Sequence, residues 1–432
     1  MAAAVCAMAG QTAQAQSSGT NSPYSRYGWG QLSSEAGGFN RGMAGLAMGV
    51  RDINIINRQN PAAYSELDSL TFLFDAGISL QNDRMKNGGD TKNVQNSAVD
   101  YLAAAFRFSK GLGFSLGLRP YSIVGYDFSS TQTMEDVDGY GSKTTTSGYV
   151  GDGGLHLIYA GIGWNPIGHV SVGANANYIW GDYNHTSSVT YSDNTIRSLT
   201  RYYKGRLNAV TFDFGLQYEQ MIGKKDMLTI GAVYGLGHKV NQRATFINMQ
   251  SNASTSTITA DTVNVGDAYE LPSSFGMGFT WNHENRLTLG FDYVCQMWKD
   301  CRFPELVSAG DNTDYAVAKK TFMDRQRFVV GVEYMPNPRG IKVRDHIKYR
   351  AGFAYQTPYT KVNGKDGANS YLVTLGAAFP IVNKYTARSV LNVSAEWEHC
   401  SSKALRAVKE DYLRLCVGIT FNAEWFNKWK VE

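Results

Sequence analysis

The chain has 432 residues, of which 18% are charged and 12% are aromatic, and its formal net charge is +4. So small a net charge does not indicate a nucleic-acid partner, and a soluble protein of this length would usually fold as two or three domains. No run of about 18 apolar residues occurs, which excludes a membrane-spanning helix but leaves a β-barrel open, since barrel strands are short and alternating. The 45 glycines, 26 tyrosines and 20 phenylalanines favour strands and turns.

The first segment, 1–15, is predicted to be a secretory signal peptide. It is small and apolar and ends in Ala13-Gln14-Ala15, an A-x-A cleavage site. The basic residues that open such signals are missing, as they would be if the natural start lay upstream of Met1. The mature chain would hold four cysteines with no C-x-x-C or Cys/His spacing, so neither a metal site nor a cofactor is predicted.

Residues 16–68 form a second zone, rich in turn residues and without a sustained period. Its aromatic residues need surroundings in which to be buried, and a barrel lumen would supply them, so we predict an N-terminal hatch. The zone ends near Asn60, Pro61 and Ala62. Pro61 fixes its own φ and favours an extended Asn60, whose side chain can bond its own backbone in an Asx-turn. These three residues are predicted to pin or gate the hatch; the alternative is an ordinary turn before a strand.

From Leu70 onward the pattern changes to period two, which predicts strands. In the first segment Phe72, Phe74, Ala76, Ile78 and Leu80 share one face, while small or polar residues occupy the other. Fourteen such segments are predicted within a barrel domain spanning 69–422. They lie near 69–81, 98–109, 112–125, 153–165, 168–185, 200–220, 227–247, 270–281, 286–299, 323–335, 345–357, 369–380, 388–400 and 410–422.

The connections between these segments alternate between tight turns and long polar loops, among them 126–152, 248–268 and 300–322. Short periplasmic turns and long external loops are typical of an outer-membrane barrel with both termini in the periplasm. Cys301 and Cys400 both fall at predicted external strand ends. A bridge between them is possible in an oxidising compartment, although chance placement is the stronger interpretation.

Charged residues fall on the small or polar face of the strands, where they would line the lumen. In the last four strands they form a predicted charged ladder of Lys348, Arg350, Glu396, Glu398 and Arg414. The ladder would anchor the hatch or a substrate carboxylate; the alternative is a salt-bridge network that stiffens a filled lumen. Tryptophans near the strand ends predict membrane-interface anchors. They are Trp164, Trp180, Trp281, Trp298 and Trp397.

The C-terminal segment 423–432 is predicted to be an amphipathic periplasmic tail carrying Trp425 and Trp429. It would anchor at the membrane interface or dock a partner. The seven histidines are scattered, and no Ser/His/Asp or paired-carboxylate motif has a known catalytic spacing, so no catalytic residue and no enzymatic activity are predicted.

Two motifs resemble the FadL-like family of outer-membrane proteins, which includes the toluene transporter TodX. Asn60-Pro61-Ala62 resembles the signature that ends the family's hatch. The run Glu270-Leu271-Pro272-Ser273-Ser274-Phe275-Gly276-Met277-Gly278-Phe279 resembles its LP-x-S-x-x-G-x-G strand opening, carried by Leu271, Pro272, Gly276 and Gly278. The run 349–355 is a weaker match. The start SPYSRYGWGQL and the end GITFNAEWFNKWKVE resemble a Bacteroidota branch, which includes a barrel, BamP, reported as an accessory of the outer-membrane assembly machine.

The resemblance implies an all-β fold, a fourteen-stranded antiparallel transmembrane β-barrel with an N-terminal lumenal plug. It implies passive uptake of hydrophobic small molecules, such as fatty acids or aromatics, across the cell outer membrane, with membrane lipid and the substrate as partners. The alternative is a non-transporting structural barrel with an envelope protein partner, for example in the barrel-assembly machinery. Two departures matter: the hatch matches the family only near its end, and the charged lumenal face is less suited to an apolar tunnel.

Overall fold

A computed structural model describes residues 19–69, 71–134, 143–252, 254–309, 312–362, 364–381, 389–402 and 408–424. The predicted signal peptide lies outside these ranges, as do Trp425, Trp429 and most of the predicted tail. Among the described residues, none of the helices has the length and apolarity needed to cross a membrane.

Fourteen antiparallel strands form the wall of a closed barrel, which confirms the predicted fold. The barrel closes because β1 pairs with β14 over its whole length, from Thr71 opposite Glu424 to Asn87 opposite Val408. The strands are β1 Thr71–Asn87, β2 Asp90–Ser109, β3 Leu112–Met134, β4 Lys143–Ile167, β5 Val170–Tyr191, β6 Ser198–Ile222, β7 Asp226–Gly235, β8 Ser274–His283, β9 Leu287–Gln296, β10 Arg325–Tyr334, β11 Lys348–Gln356, β12 Asn369–Ile381, β13 Ser389–Ser401 and β14 Val408–Glu424.

The alternation within each strand decides which side chains meet lipid and which enter the lumen. On β6, Phe212, Phe214 and Leu216 are exposed on the outer surface, whereas Gly215 and Gln217, which alternate with them, are buried against the interior. Large apolar side chains exposed around the whole wall would be unfavourable in water. They form the lipid-facing band of a transmembrane barrel.

The two ends of the barrel differ. At the end where β1 begins and β14 ends, here called the turn end, the connections after β2, β4, β6 and β8 have only two or three residues. A longer connection, 335–347, joins β10 to β11 and contains a 3₁₀-helix, Val343–His346. The opposite end, here called the loop end, carries the long connections 236–273, 297–324 and 357–368, although β1 and β2 are joined there by only two residues.

Much of the segments predicted as long polar loops is strand. Residues 126–134 and 143–152 continue β3 and β4. The hairpins Ala244–Asn252 with Thr257–Val265 and Phe303–Ala309 with Asn312–Ala318 occupy much of 248–268 and 300–322. Two shorter pairs are His238–Val240 with Tyr269–Leu271 and Lys361–Val362 with Lys365–Asp366. These segments are rich in Ser, Thr and Asn and carry only scattered apolar residues such as Phe246 and Phe303, so no sustained hydrophobic alternation reveals them, although threonine favours strands. The predicted segment 227–247 is likewise divided, because β7 ends at Gly235.

An aromatic core closes the loop end of the lumen. Trp29 of the hatch is fully buried, with ring-centroid distances of 4.9 Å to Tyr269 and 5.7 Å to Phe303. Trp298 belongs to the same core and is fully buried against Tyr359, so its predicted role as a membrane anchor is wrong. The prediction failed because β9 ends at Gln296 and the chain then turns inward. Cys301 and Cys400 are both buried and unbridged.

Residues 19–69 lie inside the barrel as the predicted plug. Their regular elements are short: the 3₁₀-helices Pro23–Arg26 and Pro61–Glu66, the strand Gln31–Leu32 and one turn of α-helix, α1, Gly38–Arg41. The strand pairs with β3 at Ser122 and Ile123. This pairing matters because β2 and β3 pair with each other only from Leu102 opposite Leu118 down to the turn end. Beyond Leu118, toward the loop end, β3 no longer pairs with β2, and the hatch strand pairs with β3 there instead.

Candidate functional site: the hatch in the lumen

The Asn60-Pro61-Ala62 motif lies in the hatch, wholly buried against the wall. Asn60 is extended (φ −132°, ψ 101°) and caps the 3₁₀-helix Pro61–Glu66 by accepting a hydrogen bond from the Ala62 N–H at 3.2 Å. Its amide group donates to the carbonyl oxygens of Met48 at 2.8 Å and of Leu216, on β6, at 3.3 Å. One side chain thus joins two parts of the hatch to the wall, while a gating role for the motif stays a prediction.

Glycines in the wall allow the hatch to approach it closely. On ten of the fourteen strands, a β-carbon added to one lumenal glycine would fall 2.9 Å or less from a hatch atom. Most of these atoms belong to the hatch backbone, which cannot move aside as the end of a long side chain can. We call these ten residues the glycine belt. They are Gly113, Gly163, Gly173, Gly215, Gly231, Gly290, Gly331, Gly352, Gly376 and Gly418.

Polar wall side chains hold the backbone of the hatch between Ala44 and Gly49. Asp292 on β9 accepts hydrogen bonds from the N–H groups of Ala47 at 2.6 Å and Met48 at 3.0 Å. Thr374 on β12 accepts from the Ala44 N–H at 2.9 Å, and Thr280 on β8 donates to the Gly49 carbonyl at 2.7 Å. These bonds satisfy backbone groups that would otherwise be buried without partners.

The motif at 270–279 contributes to the same contact. Gly278 leaves the space beside Asp292, because a β-carbon there would collide with the Asp292 carboxylate. Gly276 faces the side chain of Met48 in the hatch. Leu271 is buried and pairs with His238, and Pro272 follows at the point where the chain enters β8. The two glycines of this motif therefore face the plug or its support.

The predicted charged ladder is divided into two clusters. In the first, Lys348 and Arg350 share Glu333 on β10, at 3.2 Å and 2.7 Å. Lys348 also reaches Asp52 of the hatch at 3.4 Å, and Arg350 donates to Asn392 on β13 at 2.6 Å. This cluster links three strands and the hatch.

The second cluster brings Glu396, Glu398 and Arg414 together around Arg41. Arg414 pairs with Glu398 at 2.5 Å and lies 3.8 Å from Glu396. Arg41, at the end of α1 and 5% exposed, pairs with Glu396 at 3.7 Å and with Asp100 on β2 at 3.1 Å. Burial alone would lower the pKa of Arg41, but Glu396 and Asp100 raise it above its ordinary value, so the guanidinium stays charged.

The sequence pattern placed the ladder on the lumenal face but did not identify its partners Arg41, Asp52 and Asp100. The hatch sequence has no helical or strand periodicity that would show which way a side chain points. Nothing in the sequence therefore shows that Arg41 and Asp52 contact the wall. Asp100 lies where β1 and β2 change register, between Gly77 and Ile78, which shifts the alternation. Glu333 lies on the lumenal parity with Arg350 opposite it, as cross-strand pairing explains.

A chamber of about 350 Å³ remains between the hatch and the wall. Its lining includes six arginines, Arg41, Arg58, Arg119, Arg325, Arg327 and Arg414, and six acids, Glu35, Asp100, Asp213, Glu396, Glu398 and Glu410. The Glu35 side chain is 39% exposed to this space and pairs with Arg119 at 3.1 Å. Burial within the barrel would raise its pKa, but Arg119 and three further arginines hold the pKa at about 2. The chamber is thus charged rather than apolar.

Of the predicted interface anchors, Trp164 and Trp397 are exposed on the outer surface, at 52% and 46%, and Trp180 and Trp281 are half-buried. Trp164 lies three residues before the end of β4 at the turn end, and Trp281 two residues before the end of β8. Anchoring of these four residues in the membrane interface stays a prediction.

Several solved structures share this fold, among them proteins named as toluene transporters and as a monoaromatic hydrocarbon channel. The Pseudomonas putida toluene transporter TodX is 14% identical, with a TM-score of 0.57, and the match covers 91% of this chain and 100% of that one. The Ralstonia pickettii toluene transporter TbuX is 15% identical (TM-score 0.57, 89% and 97% covered), and a Pseudomonas aeruginosa FadL homologue is 12% identical (TM-score 0.57, 91% and 99% covered). At these identities the likeness establishes a FadL-like barrel fold. No curated protein sequence matches the chain.

The sequence model of one protein family matches the chain from end to end. That family is described as BamG, and its model covers residues 1–432. The charged, closely packed lumen thus belongs to a chain with a FadL-like fold that is a member of the BamG family.

Proposed function

We propose that this protein is a permanently plugged outer-membrane barrel that acts as a structural partner in an envelope protein complex. The family name begins with Bam, the abbreviation of the barrel-assembly machinery, so that machinery is the first complex to test. The glycine belt supports this function most directly, because the hatch packs against it on ten strands. A hatch fitted to the wall in this way is suited to stay in place.

Opening the lumen would also break ion pairs between hatch and wall, of which those of Arg41 are buried. Moving α1 away from the wall would separate Arg41 from Asp100 and Glu396, and moving Asp52 would remove one partner of Lys348. Removing one member of a buried ion pair typically costs about 3–5 kcal/mol. The charged chamber is, in addition, a poor environment for an apolar solute, because desolvating its arginines and carboxylates would be unfavourable.

Uptake of hydrophobic small molecules is the second candidate. It is favoured by the similar structures, two of which are toluene transporters. For this function the hatch would have to move, or a path would have to pass beside it through the chamber. Neither candidate is an enzymatic function.

We further propose that the turn end faces the periplasm, so that the chain leaves β14 on that side. The first described hatch residues lie nearer the loop end, where Ser22 donates to Glu410, so this orientation does not by itself place the N-terminus. The short connections at the turn end support the orientation, because outer-membrane barrels carry short turns on the periplasmic side and long loops outside. The hairpins and aromatic core of the loop end would then face the exterior.

The test is purification of the tagged chain from its native membranes in mild detergent, followed by identification of the proteins and lipids that accompany it. We expect stoichiometric envelope proteins and no bound apolar ligand. In parallel, the purified barrel in liposomes should take up no toluene or fatty acid, whereas TodX, the positive control, should take up toluene. Recovery of the chain alone with a bound hydrophobic molecule, together with uptake, would favour the transport function instead.

A further inference from the structure

One part of the chamber has more arginines than acids. Arg58 of the hatch, Arg119 of β3, and Arg325 and Arg327 of β10 all line it, and all four act electrostatically on Glu35. Glu35 forms its ion pair with Arg119 alone. Within the described part of the chain, no carboxylate lies within the 4.0 Å ion-pair distance of Arg58, Arg325 or Arg327.

These three arginines are instead held by neutral oxygens. Arg58 donates to the Glu35 carbonyl at 2.8 Å, and Arg327 donates to the Ala44 carbonyl at 2.7 Å. Arg325 donates to the side-chain oxygens of Gln296, at 3.0 Å, and Gln356. Such bonds fix the direction of each guanidinium but do not neutralise its charge. Positive charge therefore accumulates at a point where the hatch and two strands meet.

Several buried hydrogen-bond donors of this chamber have no partner among the described residues, and two of them belong to residues beside these arginines. The Nε of Arg119 and the Nε2 of Gln59 are both buried and unbonded, and Arg119 as a whole is only 6% exposed. The other acids that interact electrostatically with these arginines have closer partners of their own. Asp213 accepts a hydrogen bond from Asn177 at 2.7 Å, Asp292 accepts from the backbone N–H groups of Ala47 and Met48, and Glu398 pairs with Arg414. Free N–H groups therefore line the space between hatch and wall.

We propose that this cluster, Arg58, Arg119, Arg325 and Arg327 with Gln59, is a binding site for a small oxyanion, a phosphate or a carboxylate group. Guanidinium groups bind both through paired N–H donors, and they do so more strongly than neutral donors. The chamber volume of about 350 Å³ falls within the range of about 300–1,000 Å³ typical of small-molecule sites. Because Arg58 belongs to the hatch and the other arginines to the wall, the anion would tie the plug in place. The site does not depend on whether the barrel transports.

The test uses the full-length barrel in nanodiscs, titrated with sodium phosphate and, at equal ionic strength, with sodium chloride. We expect saturable phosphate binding by calorimetry, a higher unfolding midpoint, and slower hydrogen exchange in hatch residues 51–66, none of which chloride should produce. The double variant Arg325→Gln/Arg327→Gln should weaken phosphate binding at least tenfold. Arg206→Gln, which removes an exposed arginine from the outer surface, is the matched control and should bind as the wild type does.

A second arm distinguishes a free anion from the head group of an amphiphile. Octanoate binding more tightly than phosphate, with octanol not binding, would identify a carboxylate head group as the ligand; phosphate binding alone would identify a free anion. Either result supports the oxyanion site. Equal effects of phosphate, octanoate and chloride on the wild-type barrel would overturn it, and that comparison needs no variant. Unchanged affinity in a folded double variant would also overturn it.

Discussion

Arg41 connects the hatch to two distant strands of the wall through a single side chain. It ends a helix of only four residues, Gly38–Arg41, yet it reaches Asp100 on β2 and Glu396 on β13. Its Nη1 also lies 2.8 Å from the Cys416 sulfur on β14. A helix this short has little stability of its own, so its position depends on these contacts.

Replacing Arg41 with methionine should therefore destabilise the plugged barrel. The variant keeps much of the side-chain volume but leaves Asp100 and Glu396 buried without Arg41, which should lower the free energy of unfolding by about 3–5 kcal/mol. Arg206→Met, which breaks an exposed pair with Asp182, should leave it nearly unchanged, because solvent screens exposed ion pairs. Denaturant unfolding in detergent micelles measures both. Equal effects would show that the Arg41 contacts do not hold the hatch.

Glu35 gives hatch stability a dependence on pH. Its folded-state pKa of about 2 lies below its ordinary value of 4.5, chiefly because Arg119 offsets the effect of burial. The stability contributed by the carboxylate is therefore fully present above about pH 4.5 and is lost as the pH falls toward 2. Glu35→Gln should remove this part of the pH dependence, so that wild-type and variant unfolding midpoints converge between pH 4.5 and 3. A constant difference between them across that range would contradict the assignment.

The hatch packs closely against the strands at positions where the strands carry glycine and therefore have no side chain. Each glycine of the belt lies on the lumenal face of its strand, and the hatch passes from Gly418 on β14 around the wall to Gly113 on β3. Glycine weakens a strand, by roughly 0.5–1 kcal/mol relative to alanine. That loss is offset where a second backbone fills the space.

Gly231→Ala tests this fit directly. The added methyl group would collide with the Met48 carbonyl of the hatch, and overpacking of this kind costs about 1–3 kcal/mol. We expect a lower unfolding midpoint and faster proteolysis within residues 38–66. Gly89→Ala, in the turn between β1 and β2, is the matched control, because nothing lies within 4 Å of the added carbon. A folded Gly231→Ala barrel as stable as the control would refute a close steric fit.

In the molecule as a whole, the plug determines whether the lumen of the barrel forms an open channel. Barrels of about 8 strands are filled by their own side chains, whereas those of 16 to 18 leave an aqueous channel. A wall of fourteen strands lies between these limits, and here residues 19–69 and the aromatic core at the loop end occupy its lumen.

Deleting residues 19–66 should convert the closed barrel into a conducting pore. In planar bilayers we expect the full-length chain to show no stable single-channel current and the deletion to show discrete conductance steps, because charged side chains such as Glu396 and Arg350 would become hydrated. The deletion must first migrate as a folded, heat-modifiable barrel. Comparable conductance in the full-length chain would show that the plug does not close the lumen.

The wall of the barrel can be read from local residue patterns. Alternating residues, Phe212, Phe214 and Leu216 against Gly215 and Gln217, specify both the strands and their two faces, because side chains in a strand point to opposite sides in turn. The same rule placed Lys348, Arg350, Glu396, Glu398 and Arg414 in the lumen. The contacts that these residues make depend on the folded chain. The hatch has no repeating pattern from which its contacts could be predicted. Contacts between residues far apart in the chain decide three features: the pairing of Arg41 with Glu396, the packing of Met48 against Gly231 and the inward turn at Trp298. No local pattern encodes such contacts.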